Sequence, residues 1–150
     1  MTVPPYPVEL RTAQDGDQGF VMTSWLESYH QGSRVARATR WADYREPMRR
    51  IVRRLLRRSV CLVACDPEEP SHLLGFAVGE RDRRRLILHY LYVRQTRRRS
   101  GLATMLVGEL ARRLGTEGIT YTHETHVVRD LVRGRDARWN PWIVWGEEVA

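Results

Sequence analysis

Val93-Arg94-Gln95-Thr96-Arg97-Arg98-Arg99-Ser100-Gly101-Leu102-Ala103-Thr104 joins a run of aliphatic and aromatic residues to an amphipathic segment, and its reading decides the fold. Upstream, Leu86-Ile87-Leu88-His89-Tyr90-Leu91-Tyr92-Val93 predicts a long strand, the central one of a sheet. Downstream, Leu102, Met105, Leu106, Leu110 and Leu114 recur at helical spacing, and Gly115 ends the pattern. Gly101 and Ala103 bracket Leu102 at the helix start, where small residues let backbone approach a ligand and the first N–H groups lack intrahelical partners. Such an end attracts phosphate oxygens, and the three arginines before it add positive charge. Local chemistry equally admits a tight strand-to-helix turn with solvated arginines. The missing Gly-Lys-Ser/Thr ending excludes a P-loop, and the glycine spacing excludes a dinucleotide fingerprint.

Working back from this loop, Val60-Cys61-Leu62-Val63-Ala64 and Leu73-Leu74-Gly75-Phe76-Ala77-Val78 predict two strands of an antiparallel meander with the long one, separated by turns at residues 66–70 and 81–84. Tyr44, Met48, Ile51, Val52, Leu55 and Leu56 trace the apolar stripe of a helix ending near Arg58, with Pro47 in its first turn. Ser33 to Thr39 has no clear period and reads as a mobile loop. Phe20, Val21, Ser24, Trp25 and Ser28 predict an earlier helix over about residues 17–30, after a strand at Val8-Glu9-Leu10-Arg11. Forward of the loop, Ile119 to His123 reads as strand, Val127 to Val132 as a short helix, and Trp139 to Trp145 as a last strand covering an edge.

The chain has 150 residues, 42% of them hydrophobic, and five tryptophans, which suits one domain over residues 1–150 with a real core. No apolar run approaches the roughly 20 residues that span a bilayer, so no membrane partner is expected. The start, Met1-Thr2-Val3-Pro4-Pro5, lacks a basic segment followed by an apolar one, and a cytoplasmic location is the expectation. Cys61 and Cys65 have no second pair to complete a metal site and read as ordinary thiols. All 25 basic residues are arginine, against 18 acidic residues, for a net charge of +7. The pI near 10.2 invites a nucleic-acid partner, but the arginines are scattered through helices, strands and turns, which favours a solvated basic surface.

The element order, together with Arg98-x-x-Gly101-x-Ala103 and with Val93 five residues before the arginine, resembles the GNAT superfamily of N-acetyltransferases over roughly residues 8 to 125. Ser24 to Tyr29, His89 to Val93 and Thr122 to Thr125 look like small acetyltransferases encoded by tailed bacteriophages, which would place the protein in a bacterial or phage-infected cell. The resemblance implies an α/β (α+β) fold: a central mixed, mostly antiparallel sheet of about six to seven strands, helices on both faces, and a splayed pair of central strands. It implies acetyl-CoA as cofactor and an amine-bearing small molecule or protein as acceptor, and it is compatible with a homodimer.

The resemblance further implies that the pantetheine arm pairs with the backbone of Leu91, Tyr92 and Val93. The pyrophosphate would lie on backbone N–H groups of Arg98, Arg99, Ser100, Gly101, Leu102 and Ala103, with Thr104 next to them. Two departures are local, since Arg99 replaces the usual glycine and Ser100 a frequent basic residue. A third is chemical, because the family's Asn-x-x-Ala-x-x-x-Tyr segment is not found after Tyr121, leaving the acid for the departing thiolate unassigned. His89 is the first candidate base, on the argument that counting back by twos from Val93 puts His89 and Leu91 on one face. Holding a cross-strand carbonyl is its alternative role. Glu80 and His123 are the other candidate bases. Trp25, Ser28 and Tyr29 share a helical side that would wall the acceptor pocket or simply be core. Trp139, Trp142 and Trp145 are candidates to close that pocket, and Glu124 and Asp130 to attract a cationic acceptor. A binding module of the same fold without catalysis is the competing reading.

Overall fold

The computed structural model describes residues 3–146. A six-stranded sheet runs in the order β1 (Glu9–Thr12), β2 (Val60–Asp66), β3 (Glu69–Asp82), β4 (Arg85–Val93), β5 (Ile119–Tyr121), β6 (Ala137–Trp139). The first four strands pair antiparallel, and β5 and β6 add in parallel. The parallel additions require crossovers. These are α4 (Leu102–Leu114), between β4 and β5, and α5 (His126–Val132), between β5 and β6.

Both sheet faces are covered, which is why β2 and β4 read as nearly unbroken apolar runs rather than as alternations. On one face α1 (Gln18–Gly32) and α3 (Trp41–Arg58) bury Val21, Trp25, Tyr44, Ile51, Val52 and Leu55 against Val63, Phe76, Val78 and Tyr90. On the other, α4 and α5 bury Leu102, Leu106, Leu110, Val128 and Leu131 against Leu62, Ala77, Leu88 and Leu91. The start of α1 is tied to β1 by Arg11 Nη1 and Asp17 Oδ2, 2.6 Å apart, and the guanidinium holds the Asp17 carboxyl below its usual range.

Several local expectations are corrected. Residues 33–39 are not a loop throughout, since α2 (Arg34–Arg37) forms there, capped by Ser33 Oγ accepting from Ala36 N–H at 3.4 Å. The following helix begins at Trp41, so Pro47 lies inside it rather than in its first turn and removes one hydrogen bond from its interior. Strand β5 ends at Tyr121, leaving Thr122 and His123 in a bend. The last apolar run is strand only as far as Trp139, and Ile143–Gly146 forms a short α6.

A register break in β4 changes the geometry that matters most. Val78 faces Tyr90, but Gly79 faces Leu88, so His89 is the extra residue of a β-bulge. Counting by twos across it fails. Leu91 packs beneath α4, whereas the His89 ring bonds Glu80, itself bonded to Arg58 at the end of α3 on the opposite face. Glycine at 79 allows this close approach, because a Cβ there would lie 2.9 Å from the Ile87 carbonyl oxygen.

Candidate functional site

Strand β5 pairs with β4 only through Leu86, Ile87 and Leu88, and the Thr122 N–H to Leu88 O bond of 3.1 Å is the last rung before the strands part. Beyond it, on the side away from β3, no strand among the described residues lies beside β4 from Tyr90 to Val93. Val93 O accepts from Arg98 Nε at 3.2 Å on that side, and the rest of the edge is open to an extended ligand.

At the far end of the gap, Gly101 adopts φ 89°, the left-handed region that glycine enters without strain, and caps α4 with no side-chain bond. The first intrahelical bond runs from Met105 N–H to Gly101 O, so Leu102, Ala103 and Thr104 N–H have no intrahelical acceptor. Arg99 is also left-handed, at φ 60°, which folds the arginine loop over the helix start. A cavity of about 530 Å³ opens there, lined by Val93, Arg98, Arg99, Gly101, Leu102, Ala103 and Thr104. Its far wall comes from α5, through His126, Val127, Asp130 and Leu131, and Arg97 adds to the cationic rim. Sequence reasoning gave no role there to the α5 residues, because only the fold brings that helix back over the loop. Capping supplies the one local signal, Thr125 Oγ1 accepting from Val128 N–H at 3.3 Å.

Three of the residues assigned to the cofactor do not line this cavity. Leu91 is buried under α4, and Tyr92 turns its ring to the opposite face, against Phe20 and Phe76. Ser100 binds the loop to itself, donating to Arg97 O and meeting Tyr6 Oη at 2.7 Å. The Arg97 guanidinium stacks 4.7 Å from the Tyr6 ring.

On the other sheet face a second cavity, of about 260 Å³, lies between α1, α3 and the bend after β5. Tyr29, Thr122 and His123 line it, while Pro141 and Val144 close it from the C-terminal side. Trp25 and Ser28 stand behind this wall: Trp25 is fully buried and stacks 4.8 Å from Tyr90, and Ser28 Oγ meets Tyr90 Oη at 2.6 Å. Trp139 and Trp142 are exposed and line neither cavity, and the Trp145 side chain lies outside the described residues. Asp130 sits in the first cavity and pairs with Arg133, and Glu124 lines neither. The two carboxylates therefore do not meet at the second cavity.

The three candidate bases form one hydrogen-bonded row. Arg58 Nε and His89 Nε2 both donate to Glu80 Oε2, each at 2.7 Å. His89 Nδ1 lies 3.1 Å from Thr122 Oγ1, and Thr122 Oγ1 lies 2.9 Å from His123 Nδ1. Burial pushes the Glu80 carboxyl up, but the bonds from His89 and Arg58 outweigh it and hold it below its ordinary value. An ionised carboxylate accepts only, so His89 carries a proton on Nε2, and its Nδ1 faces the Thr122 hydroxyl. Burial, aided by the neighbouring His89, pulls His123 down from 6.5 to about 3. It is therefore neutral at pH 7, its ring enclosed edge-on by Trp25, Tyr29 and Tyr90. Thr122 was not singled out from sequence, because its role depends on standing between two histidines that only the fold brings together.

Among the described residues no group of His, Cys, Asp and Glu is placed to hold a metal ion, and no helix is long and apolar enough to cross a membrane. Cys61 is a free thiol pushed up to about 12 by burial, and Cys65 is likewise free.

In structure the chain resembles a GNAT family acetyltransferase from Brucella melitensis solved with acetyl-CoA, at 14% identity, TM-score 0.58, and coverage of 84% of this chain and 82% of that one. It is similar to the PaiA N-acetyltransferase of Thermoplasma acidophilum solved with coenzyme A, at 14% identity, TM-score 0.58, and coverage of 85% and 87%. A protein from Pyrococcus furiosus superposes over 96% of this chain and 92% of its own, at 17% identity and TM-score 0.60. No curated protein matches the sequence. Residues 20–134, which hold the arginine loop, the splayed strands and the row from Glu80 to His123, match the Acetyltransferase (GNAT) family, and the chain belongs to that family.

Proposed function

We propose that the protein transfers an acetyl group from acetyl-CoA to a primary amine by direct attack. The observation that carries this reading is the splay itself. An open strand edge runs between a cationic cavity at a helix start on one sheet face and a cavity holding His123 on the other.

The residues present suit the cofactor. The N–H groups of Leu102, Ala103 and Thr104 and the guanidinium groups of Arg97, Arg98 and Arg99 would hold the pyrophosphate and ribose phosphate. The backbone of Leu91, Tyr92 and Val93 would pair with the pantetheine arm. Bound acetyl-CoA supplies the thioester, whose C–S bond breaks as the N–C bond to the amine forms, the sulfur leaving as thiolate. The chain's own residues take the proton that the nitrogen loses. His123 lines the acceptor cavity and receives it on Nε2, but burial makes this ring a poor resting place for charge. Its Nδ1 proton passes to Thr122 Oγ1, whose hydroxyl proton passes to His89 Nδ1. The imidazolium then rests against the ionised Glu80, which Arg58 steadies. In this account His123 meets the amine, and His89 and Glu80 act through it.

Purified protein incubated with acetyl-CoA and a panel of amines tests the reading. Amine-dependent release of free coenzyme A thiol is expected, and its absence for every amine class would remove the assignment.

A second reading rests on a different place. Arg45, Arg49, Arg53 and Arg57, spaced four apart on α3, line a groove of about 560 Å³ against α1, with Trp41 at one end. A cationic track beside an exposed aromatic ring suits a single-stranded nucleic acid or another polyanion, and a non-catalytic binding module would use it. Salt-dependent oligonucleotide binding, without amine-dependent thiol release, would favour that function.

A further inference from the structure

The second cavity carries information about the acceptor, and the inference drawn from it rests on the acetyl-transfer reading above. We propose that the acceptor is a small monoamine with an apolar body and no second cationic centre. The cavity is formed by Ala36, Met48, Ile51 and Val144 with the rings of Tyr29 and Tyr44. His123 stands in it beside Thr122, where the reacting nitrogen belongs, and its other polar side chains, Thr39, Tyr29 and Tyr44, carry one hydroxyl each. The Tyr44 hydroxyl is already spent on Leu26 O at 2.8 Å, so that ring presents hydrocarbon.

No carboxylate stands among the described residues that line it. A polyamine or an aminoglycoside brings further ammonium groups, each of which would lose its water without gaining an anion. A hexyl or phenylethyl chain loses only unfavourable contact with water. At about 260 Å³ the cavity is a little smaller than the usual drug-sized ligand site, which suits one such chain and excludes a trisaccharide. A lysine side chain would enter only with its peptide backbone left outside so small a cavity.

Two readouts test this separately from the transfer reaction. In the first, hexylamine, 2-phenylethylamine, spermidine and a lysine peptide are titrated into the protein without coenzyme while the methyl resonances of Met48 and Ile51 are followed. Saturable shifts with the two monoamines, and none with spermidine or the peptide at equal concentration, are expected. In the second, kcat/KM for acetyl transfer is compared across the same amines, with the monoamines expected at least roughly tenfold ahead. Thr39→Glu, at an exposed rim position that leaves the core untouched, should narrow that ratio by lowering KM for spermidine. Shifts without transfer to any amine would sink the acetyltransferase reading and leave the site standing. Transfer favouring spermidine, an aminoglycoside or the peptide, or monoamines that leave Met48 and Ile51 unshifted, would overturn the inference while acetyl transfer stood.

Discussion

His89 Nε2 lies 2.7 Å from Glu80 Oε2, and the imidazole has no contact with solvent. A buried ring held on a carboxylate from one side and a hydroxyl from the other is oriented to receive a proton through that hydroxyl rather than to meet an acceptor itself. His89→Ala is therefore expected to lower kcat by roughly 10²–10⁴, the usual worth of a positioned base, while acetyl-CoA affinity by calorimetry stays within error. Equal turnover in the variant would reduce His89 to a residue that shapes the bulge.

Thr122 supplies a sharper test, because its hydroxyl meets both rings. Thr122→Val keeps the volume and removes the link, and kcat should fall by about 10²-fold with KM for the amine little changed. Thr122→Ser should restore most of the rate. Loss of rate in both variants, or in neither, would contradict a hydroxyl relay.

The arginine loop was legible in sequence because its information is local: a glycine at a helix start, an arginine run and an apolar stripe all act within one turn. Gly101 and Ala103 accordingly fall where they were expected. The row from Glu80 to His123 was legible only as separate candidates. The bulge at His89 depends on pairing with β3, and alternation within β4 alone pointed the side chain toward the wrong face. Trp25 shows the complementary limit, since a residue on the pocket side of α1 is equally suited to stacking on Tyr90, as it does. Pro47 misplaced the start of α3 because Trp41 to Glu46 carry little periodic signal of their own.

His123 makes acid stability informative. Its folded-state value is depressed, from 6.5 to about 3, so the unfolded chain binds a proton first as pH falls. This contribution to stability is whole above about 6.5 and is lost as pH falls toward about 3. The depressed Glu80 carboxyl adds a loss of the same sign below the ordinary carboxylate range. Urea midpoints measured between pH 7 and pH 4 should fall, and His123→Phe should flatten that slope. An unchanged slope would mean that His123 is protonated in the folded protein.

Glu80→Ala removes the acceptor shared by Arg58 and His89 and leaves the buried His89 Nε2–H without it. A loss of about 1–3 kcal/mol in unfolding free energy is expected, within the range for orphaning a buried polar group. Glu80→Gln, which keeps an acceptor oxygen, should recover much of the stability but not the rate. Full activity in Glu80→Gln would exclude the carboxylate from holding the charge.

If the helix start at Gly101 holds the pyrophosphate of acetyl-CoA, isothermal titration of wild type and Ala103→Glu with acetyl-CoA will register it. One-to-one binding by wild type and its loss in the variant are expected, since the substitution sets charge and bulk against the phosphates at the second residue of α4 while circular dichroism stays unchanged. Binding of equal affinity by both proteins, or no binding to wild type at millimolar acetyl-CoA, would contradict it.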